Sequence, residues 1–265
     1  MLEKNSFHIP IPEHVLRVAE DLNTYLPLAT GDQRHIKDEF VLWMGPTSDP
    51  HHNVVQRLRI APGGLSAVVE QAREIFRRNN RHQATWEVGN SATPENLNEE
   101  LTKLGMVADD PDPISTGMVL AQTLTPQVSS TIVAKRVETL EEYRACCEIV
   151  QACFGSPADD NVQEQFNIFK ADPQKTRWIA LRNNIPVAMA DATHLEYATI
   201  LNGAATIPEA RGQGAYRALL AARSLEAQRR GAPMLVTQAG SMSRPILKSL
   251  GFEEKTQVHI FVDTF

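Results

Sequence analysis

Arg211, Gly212, Gln213, Gly214 and Ala215 stand together between two segments of opposite character. Upstream, Thr199 to Ile207 is apolar and β-prone and meets Pro208; downstream, a helix-prone run continues to Gly231. A strand that turns through a glycine loop into a helix leaves several backbone N–H groups free at one point, and the helix N-terminus adds partial positive charge there. Glycine lets the main chain approach a bulky anion with no Cβ in the way. Arg211 can add a charge-assisted hydrogen bond to a phosphate oxygen. These residue types at this spacing offer a pyrophosphate cradle; the plain alternative is a glycine turn that only starts a helix.

Two common nucleotide loops do not fit. No Lys follows the glycines as a P-loop requires, and Arg217 stands where a dinucleotide fingerprint has its third glycine. The stretch resembles the acetyl-CoA loop of the GNAT superfamily of N-acetyltransferases, written Q/R-x-x-G-x-G/A after a strand that runs into Pro. Arg211 through Ala215 match its first five positions, and Tyr216 departs from the sixth, where Gly or Ala is usual. The resemblance implies that acetyl-CoA lies on Arg211, Gly212, Gln213, Gly214, Ala215 and Tyr216. It also implies that the cradle strand splays from its neighbour, so that the amide-rich pantetheine arm pairs like an added strand. Ala205, Thr206 and Ile207 then lie against the thioester end, near N–H groups able to polarise its carbonyl.

The elements downstream are those a GNAT domain needs, in order. Ala215, Ala218, Leu219, Ala222, Leu225 and Ala227 form an apolar stripe at helical spacing, with arginines 217, 223, 229 and 230 off it. Gly231 closes that helix. Met234 to Val236 reads as a buried strand and Ser243 to Leu250 as a short helix. Leu250-Gly251-Phe252 resembles the "LGF" that opens the last GNAT strand, here Val258 to Val262. Earlier come a strand at Ile132–Val137, a helix from Leu140 to Phe154, and strands Trp178–Arg182 and Pro186–Thr193 joined at an Asn183-Asn184 turn. The resemblance covers residues 131 to 265.

The first half repeats the second in outline. Leu65 to Arg78 is helical, Ala84 to Val88 a strand, Glu95 to Leu104 a helix, and Leu101-Thr-Lys-Leu-Gly-Met echoes Leu247-Lys-Ser-Leu-Gly-Phe. Gly64 aligns with Gly214 and Gly105 with Gly251, at offsets of 150 and 146 residues. Ala61 stands where Arg211 is, so the first half reads as a degenerate lobe without a working cradle; two unrelated α/β halves are the alternative. The expected fold is α/β (α+β): two GNAT-like lobes, 1–125 and 131–265, each a mixed, mostly antiparallel sheet flanked by helices. A polar, proline-marked linker around Thr123–Ser130 joins them. In tandem GNAT proteins the extra lobe shapes the acceptor side or replaces a dimer partner, which implies a monomer or homodimer.

At 265 residues and 42% hydrophobic, the chain can bury one large or two ordinary cores. No run of about 18 apolar residues predicts a membrane span, and MLEKNSFHIPIPEH lacks the basic start and apolar core of a secretory signal. Cys146, Cys147 and Cys153 have no metal-ligand spacing and read as reduced thiols of a cytoplasmic protein. A net charge of −6 without a basic stripe argues against nucleic acid and is compatible with a cationic amine substrate. His51-His52 has no third metal ligand nearby in sequence, and Trp43, Trp86 and Trp178 fall in strand-like runs as core residues.

The implied reaction is acetyl transfer from acetyl-CoA to the amine of a small molecule by direct attack, which calls for a base and an acid. GNAT enzymes often carry the acid as a Tyr four residues before the Gly of LGF; here that residue is Leu247. Tyr197 and Tyr216 are substitutes by residue type, and Ser241 or Ser243 by expected proximity. Glu196, near the start of the cradle strand, is the candidate base, with Asp191 and His194 as rivals; a carboxylate at a hairpin end is otherwise a solvated turn residue. Strand alternation points Glu196 and Tyr197 to opposite sides unless a bulge intervenes. A non-catalytic acyl-CoA-binding or sensing protein on the same scaffold is the second reading.

Overall fold

A computed structural model describes residues 10–122, 124, 131–155 and 161–265. The expected linker, Leu124 excepted, and the first nine residues lie outside the described ones. In chain order the elements are α1 (Glu13–Glu20), α2 (Leu22–Tyr25), β1 (Gln33–Ile36), β2 (Val41–Met44), β3 (Asn53–Gln56), α3 (Leu65–Arg78), β4 (Gln83–Val88), α4 (Leu97–Lys103), β5 (Val107–Ala108) and β6 (Ile114–Leu120). There follow β7 (Ile132–Arg136), α5 (Leu140–Phe154), α6 (Val162–Ala171), β8 (Lys175–Arg182), β9 (Ile185–His194), β10 (Thr199–Thr206), α7 (Ala215–Arg229), β11 (Leu235–Ala239), α8 (Arg244–Ser249) and β12 (Glu253–Thr264). The chain forms two compact units: a first of Leu16–Met118 with Gln238–Phe265, and a second of Val119–Thr237 with the segment up to Val15.

The first unit orders its strands β1-β2-β3-β4-β12-β6, with β5 also against β12. β3 and β4 are parallel over two residue pairs, Val54↔Thr85 and Val55↔Trp86, whereas β1–β2, β2–β3 and β4–β12 are antiparallel. Val68, Val69, Ala72 and Phe76 recur at helical spacing on α3 and pack on Leu42, Val55, Ala84 and Trp86. The expected division at 125–131 differs from the observed one, because residues 238–265 join this unit. β12 pairs with β4 from His259↔Val88 to Thr264↔Gln83, buries Phe261 in the same core, and receives Arg73 of α3 on Asp263 through bonds of 3.0 and 2.7 Å.

The second unit orders its strands β11-β10-β9-β8-β7. Only β10 and β11 are parallel; β9 pairs antiparallel with both β10 and β8, and β7 with β8. Alternation along the strands gives two apolar faces. Trp178, Ala180, Ala188 and Ala190 receive Ala215, Ala218 and Leu219 of α7, while Ile179, Met189 and Ala205 receive Tyr143, Cys146 and Ile149 of α5. A capping box of Thr139 and Glu142 starts α5, and Gly155 ends it. The helix α6 was not expected from the sequence.

The repeat is visible at the helix ends. Met106 N–H reaches back to Leu101 C=O at 3.2 Å and Phe252 N–H to Leu247 C=O at 3.1 Å, the same six-to-one closure with its glycine at 105 and 251. Both units are thus mixed, mostly antiparallel α+β assemblies, each with one short parallel strand pair among the described pairings.

The first unit buries two carboxyl groups in one place. Glu87 of β4 has only a long 3.5 Å bond from Asn23, and Asp21 accepts from the Arg57 N–H at 3.0 Å. Burial, with Asp21 nearby, pushes the Glu87 carboxyl up to about 8; burial, with Glu20 nearby, pushes Asp21 up to about 6. The folded state therefore holds protons that the unfolded chain releases above its ordinary carboxylate range. This contribution is fully present below about pH 4 and is lost as pH rises toward about 8. Replacing Glu87 by Gln should flatten that loss, raising the melting temperature near pH 8 and changing it little near pH 5. Thermal melts of both proteins across this range check it, and a lower melting temperature for the variant near pH 8 contradicts it.

Candidate functional site

β10 ends at Thr206, and a short 3-10 turn, Pro208–Ala210, brings the chain into the loop. Ala210 N–H bonds to Ile207 C=O at 3.0 Å and Arg211 N–H to Pro208 C=O at 3.2 Å. Among the described residues, the next five amides, Gly212 through Tyr216, donate to no backbone carbonyl; Ala218 N–H to Gly214 C=O opens the helical series of α7. Gly212 and Gly214 have φ of 72° and 93°, left-handed backbone that side chains rarely adopt. A Cβ on Gly212 meets nothing within 4 Å, so conformation rather than space demands glycine there. Substituting Gly214 consequently strains the fold as well as any contact with a ligand, and Arg211 is the cleaner probe.

Side chains complete the loop. Arg211 is exposed and its Nε donates to Thr206 C=O at 3.2 Å. Gln213 donates to Glu209 C=O at 2.7 Å and accepts from Arg182 Nη1. Two guanidinium groups therefore flank five unpartnered amides at a helix start, the arrangement that favours a multiply charged anion.

The aligned loop of the first unit keeps one left-handed glycine, Gly63 at φ 79°, and the free amides of its helix start, Leu65 to Ala67, but not the rest. Gly64 has φ of −86°, its N–H bonds to Ala61 C=O at 3.0 Å, and no arginine occupies position 61. Beyond β3, Thr93 N–H bonds to Leu58 C=O at 3.2 Å and Thr93 C=O accepts from Ile60 N–H at 3.1 Å, while the Asp21 carboxylate takes the Arg57 N–H. The chain itself uses the strand edge that an incoming arm would need.

In the second unit that edge is open among the described residues. β10 and β11 pair only at Thr199↔Leu235 and Ile200↔Val236, after which Thr237 Oγ1 donates to Leu201 C=O at 2.8 Å. A bulge between Asn202 and Ala204, with Gly203 at φ 52°, then resets the strand. Ile207 N–H bonds to Val187 C=O at 3.1 Å, so by alternation Ala205 and Ile207 turn their peptide groups toward β9. Ala204 and Thr206 present theirs on the other edge. Of the three residues expected there, Thr206 alone offers its peptide group, and Ala205 instead buries its methyl against α5.

Glu196 and Tyr197 occupy the loop between β9 and β10, at the start of the strand whose far end carries the cradle. At about 3.3 Å per residue β10 separates the two ends by roughly 23 Å, so the structure does not bring these residues to the loop. Glu196 is exposed; the Tyr197 ring stands edge-on to His14 with centroids 4.5 Å apart. Asp191 is engaged by Arg177 through two bonds of 2.7 Å. His194 lies between Thr176 Oγ1 and Thr199 Oγ1, each at 3.0 Å, and burial, with Arg230 nearby, pushes it down to about 4, a neutral core histidine. Ser241 and Ser243 belong to the first unit, where Ser241 N–H bonds to Asp112 at 3.1 Å.

One residue at the second unit's strand gap went unread in the sequence. Arg223, off the apolar stripe of α7, is 1% exposed, whereas Leu225 within the expected stripe is 46% exposed. The bulge had a signal, an isolated glycine inside a β-prone run. Among the described residues no group of three or more His, Cys, Asp or Glu could hold a metal ion, and no helix is long and apolar enough to cross a membrane. The three cysteines are free thiols.

No family model and no curated protein matches the sequence. Solved structures do match its fold. A GCN5-related N-acetyltransferase from Kribbella flavida superimposes with a TM-score of 0.72 at 18% identity, covering 94% of this chain and 95% of its own. A GCN5-related N-acetyltransferase from Sphaerobacter thermophilus gives 0.62 at 17% identity, covering 87% and 82%. A tandem GNAT protein from the clavulanic acid biosynthesis pathway gives 0.58 at 17% identity, covering 96% and 88%. These likenesses cover 87% to 96% of the chain, and with the glycine loop and the parted parallel strands they identify its fold as that of the GNAT acetyltransferases.

Proposed function

We propose that the chain is an acetyl-CoA-dependent N-acetyltransferase acting on an amine of a small molecule, a tandem of two GNAT-like lobes of which only the second binds the donor. One observation carries the reading: five consecutive amides left without carbonyl acceptors at the end of a strand whose outer edge is also open. The loop holds the pyrophosphate, and the edge at Ala204 and Thr206 pairs with the amides of the arm. Two of the fold neighbours are GCN5-related N-acetyltransferases and a third is a tandem GNAT protein, which supports this reading. Free thiols accord with a reducing, cytoplasmic setting.

In the reaction the lone pair of a neutral amine attacks the thioester carbon to form the C–N bond and a tetrahedral oxyanion, whose collapse breaks the C–S bond and releases CoA as a thiolate. The nitrogen loses one proton and the thiolate gains one. Backbone N–H groups on the open edge stabilise the oxyanion formed between these events. Asp191 is held by Arg177 and His194 by two threonines, which favours proton transfer through water over a dedicated base from that pair. The distance of Glu196 and Tyr197 from the loop favours the second reading, a protein that binds acyl-CoA without turnover. Thiol release from acetyl-CoA across an amine panel, against a control without protein, separates the two: amine-dependent release supports the enzyme, and binding without release supports the sensor.

Calorimetric titration should give one acetyl-CoA per chain; two equivalent sites contradict the self-paired edge of the first unit. Replacing Arg211 by Ala should weaken CoA binding by about 1.5–3 kcal/mol, the scale of a hydrogen bond to a charged group. The same titration reads it, and an unchanged affinity makes the loop structural.

A further inference from the structure

Arg223 of α7 is buried with its charge, 1% exposed, and one end of its guanidinium has no well-formed hydrogen bond. Nε donates to Leu219 C=O at 3.3 Å and Nη1 to Asp191 C=O at 3.0 Å, while Nη2 has no hydrogen-bond partner. The charged and titratable groups that act on it are the Tyr216 hydroxyl, two turns earlier on the same helix and beside the guanidinium, and Asp191, whose carboxylate is already taken by Arg177. A buried donor left unpaired is costly, and such groups in folded proteins are uncommon.

The position of this donor is informative. Asp191 pairs with Asn202 at the bulge, and a Cβ built on Gly203 would lie 3.5 Å from Asp191 Oδ2. Arg223 therefore reaches β9 at the point where β10 changes register. Tyr216 stands among the unpartnered amides of the loop. The row from Tyr216 to Arg223 covers about 10 Å of helix, and it leads from the cradle to the bulge, as does the open edge from Thr206 back to Ala204.

We propose that Arg223 Nη2 and the Tyr216 hydroxyl together receive a carbonyl oxygen of the acyl-pantetheine arm, making Arg223 a binding residue of the donor site. The inference rests on the reading of the loop as the CoA site. A carbonyl suits these partners better than a phosphate does: it has two lone pairs for two donors and brings no second charge into the interior.

The test compares wild type, Arg223→Met and Tyr216→Phe by ligand-free thermal melts and by calorimetric affinity for two probes. One probe is acetyl-CoA; the other is adenosine 3′,5′-bisphosphate, which offers phosphates to the cradle and has no arm. Methionine keeps the length and removes the unpaired donor together with the bonds to Leu219 and Asp191, so Arg223→Met should still melt cooperatively, yet bind acetyl-CoA at least about tenfold more weakly. The bisphosphate should bind both proteins alike, and Tyr216→Phe should lose a smaller part of the acetyl-CoA affinity. Acetyl-CoA affinity within twofold of wild type in folded Arg223→Met overturns the proposal, as does an equal loss for both probes. Should that variant not fold, Tyr216→Phe decides: a loss confined to acetyl-CoA supports the proposal and an unchanged affinity overturns it. Failure of wild type to bind either probe instead overturns the CoA reading itself, and the proposal with it.

Discussion

Backbone N–H and C=O groups in a folded chain must be paired or hydrated, and nearly all of those in regular elements are. The second unit departs from this at two adjoining places, the β10 edge beyond Ile200 and the amides from Gly212 to Tyr216. Everything that distinguishes this unit as a candidate site follows from that vacancy. The bulge at Gly203 decides which peptide groups face the open edge, the left-handed glycines at 212 and 214 keep the loop amides out of a helical ladder, and Arg211 and Arg182 supply charge beside them.

The first unit is the internal comparison. It is built on the same plan, with a parallel pair two residues long and the same helix closure at Gly105. Yet its strand edge is satisfied from within, by Thr93 and by Asp21 on the Arg57 amide, and Ala61 interrupts the run of free loop amides by taking the Gly64 N–H. The same architecture thus yields a closed edge in one unit and an open one in the other. Protonation of buried Glu87 belongs with the closed case, since a carboxylate without a strong donor in a water-poor interior lowers its energy by taking up a proton.

Local features were legible in the sequence, because their causes are local. The loop from Arg211 to Ala215, the spans of α3 and α5, and the close of α7 at Gly231 are each fixed by residues a few positions apart. Features set by distant pairing were not. Nothing within Glu253–Thr264 says that this strand joins β4 rather than the sheet of the preceding domain. Glu196 lies before the start of β10, at the end away from the loop, a matter of strand length and not of residue type. Arg223 defeated the helical stripe because an arginine off the apolar face is ordinarily solvated; its burial depends on the carbonyl of Asp191, 32 residues away.

The central claim is that these vacant amides are a ligand site, and residue-resolved hydrogen exchange with and without CoA addresses it most directly. Bound phosphates and a paired arm should slow exchange at Gly212 to Tyr216 and at Ala204 and Thr206, with no change at Gly63 to Leu65. Unaltered exchange across 212–216 under saturating CoA, or equal protection in both loops, would contradict the account.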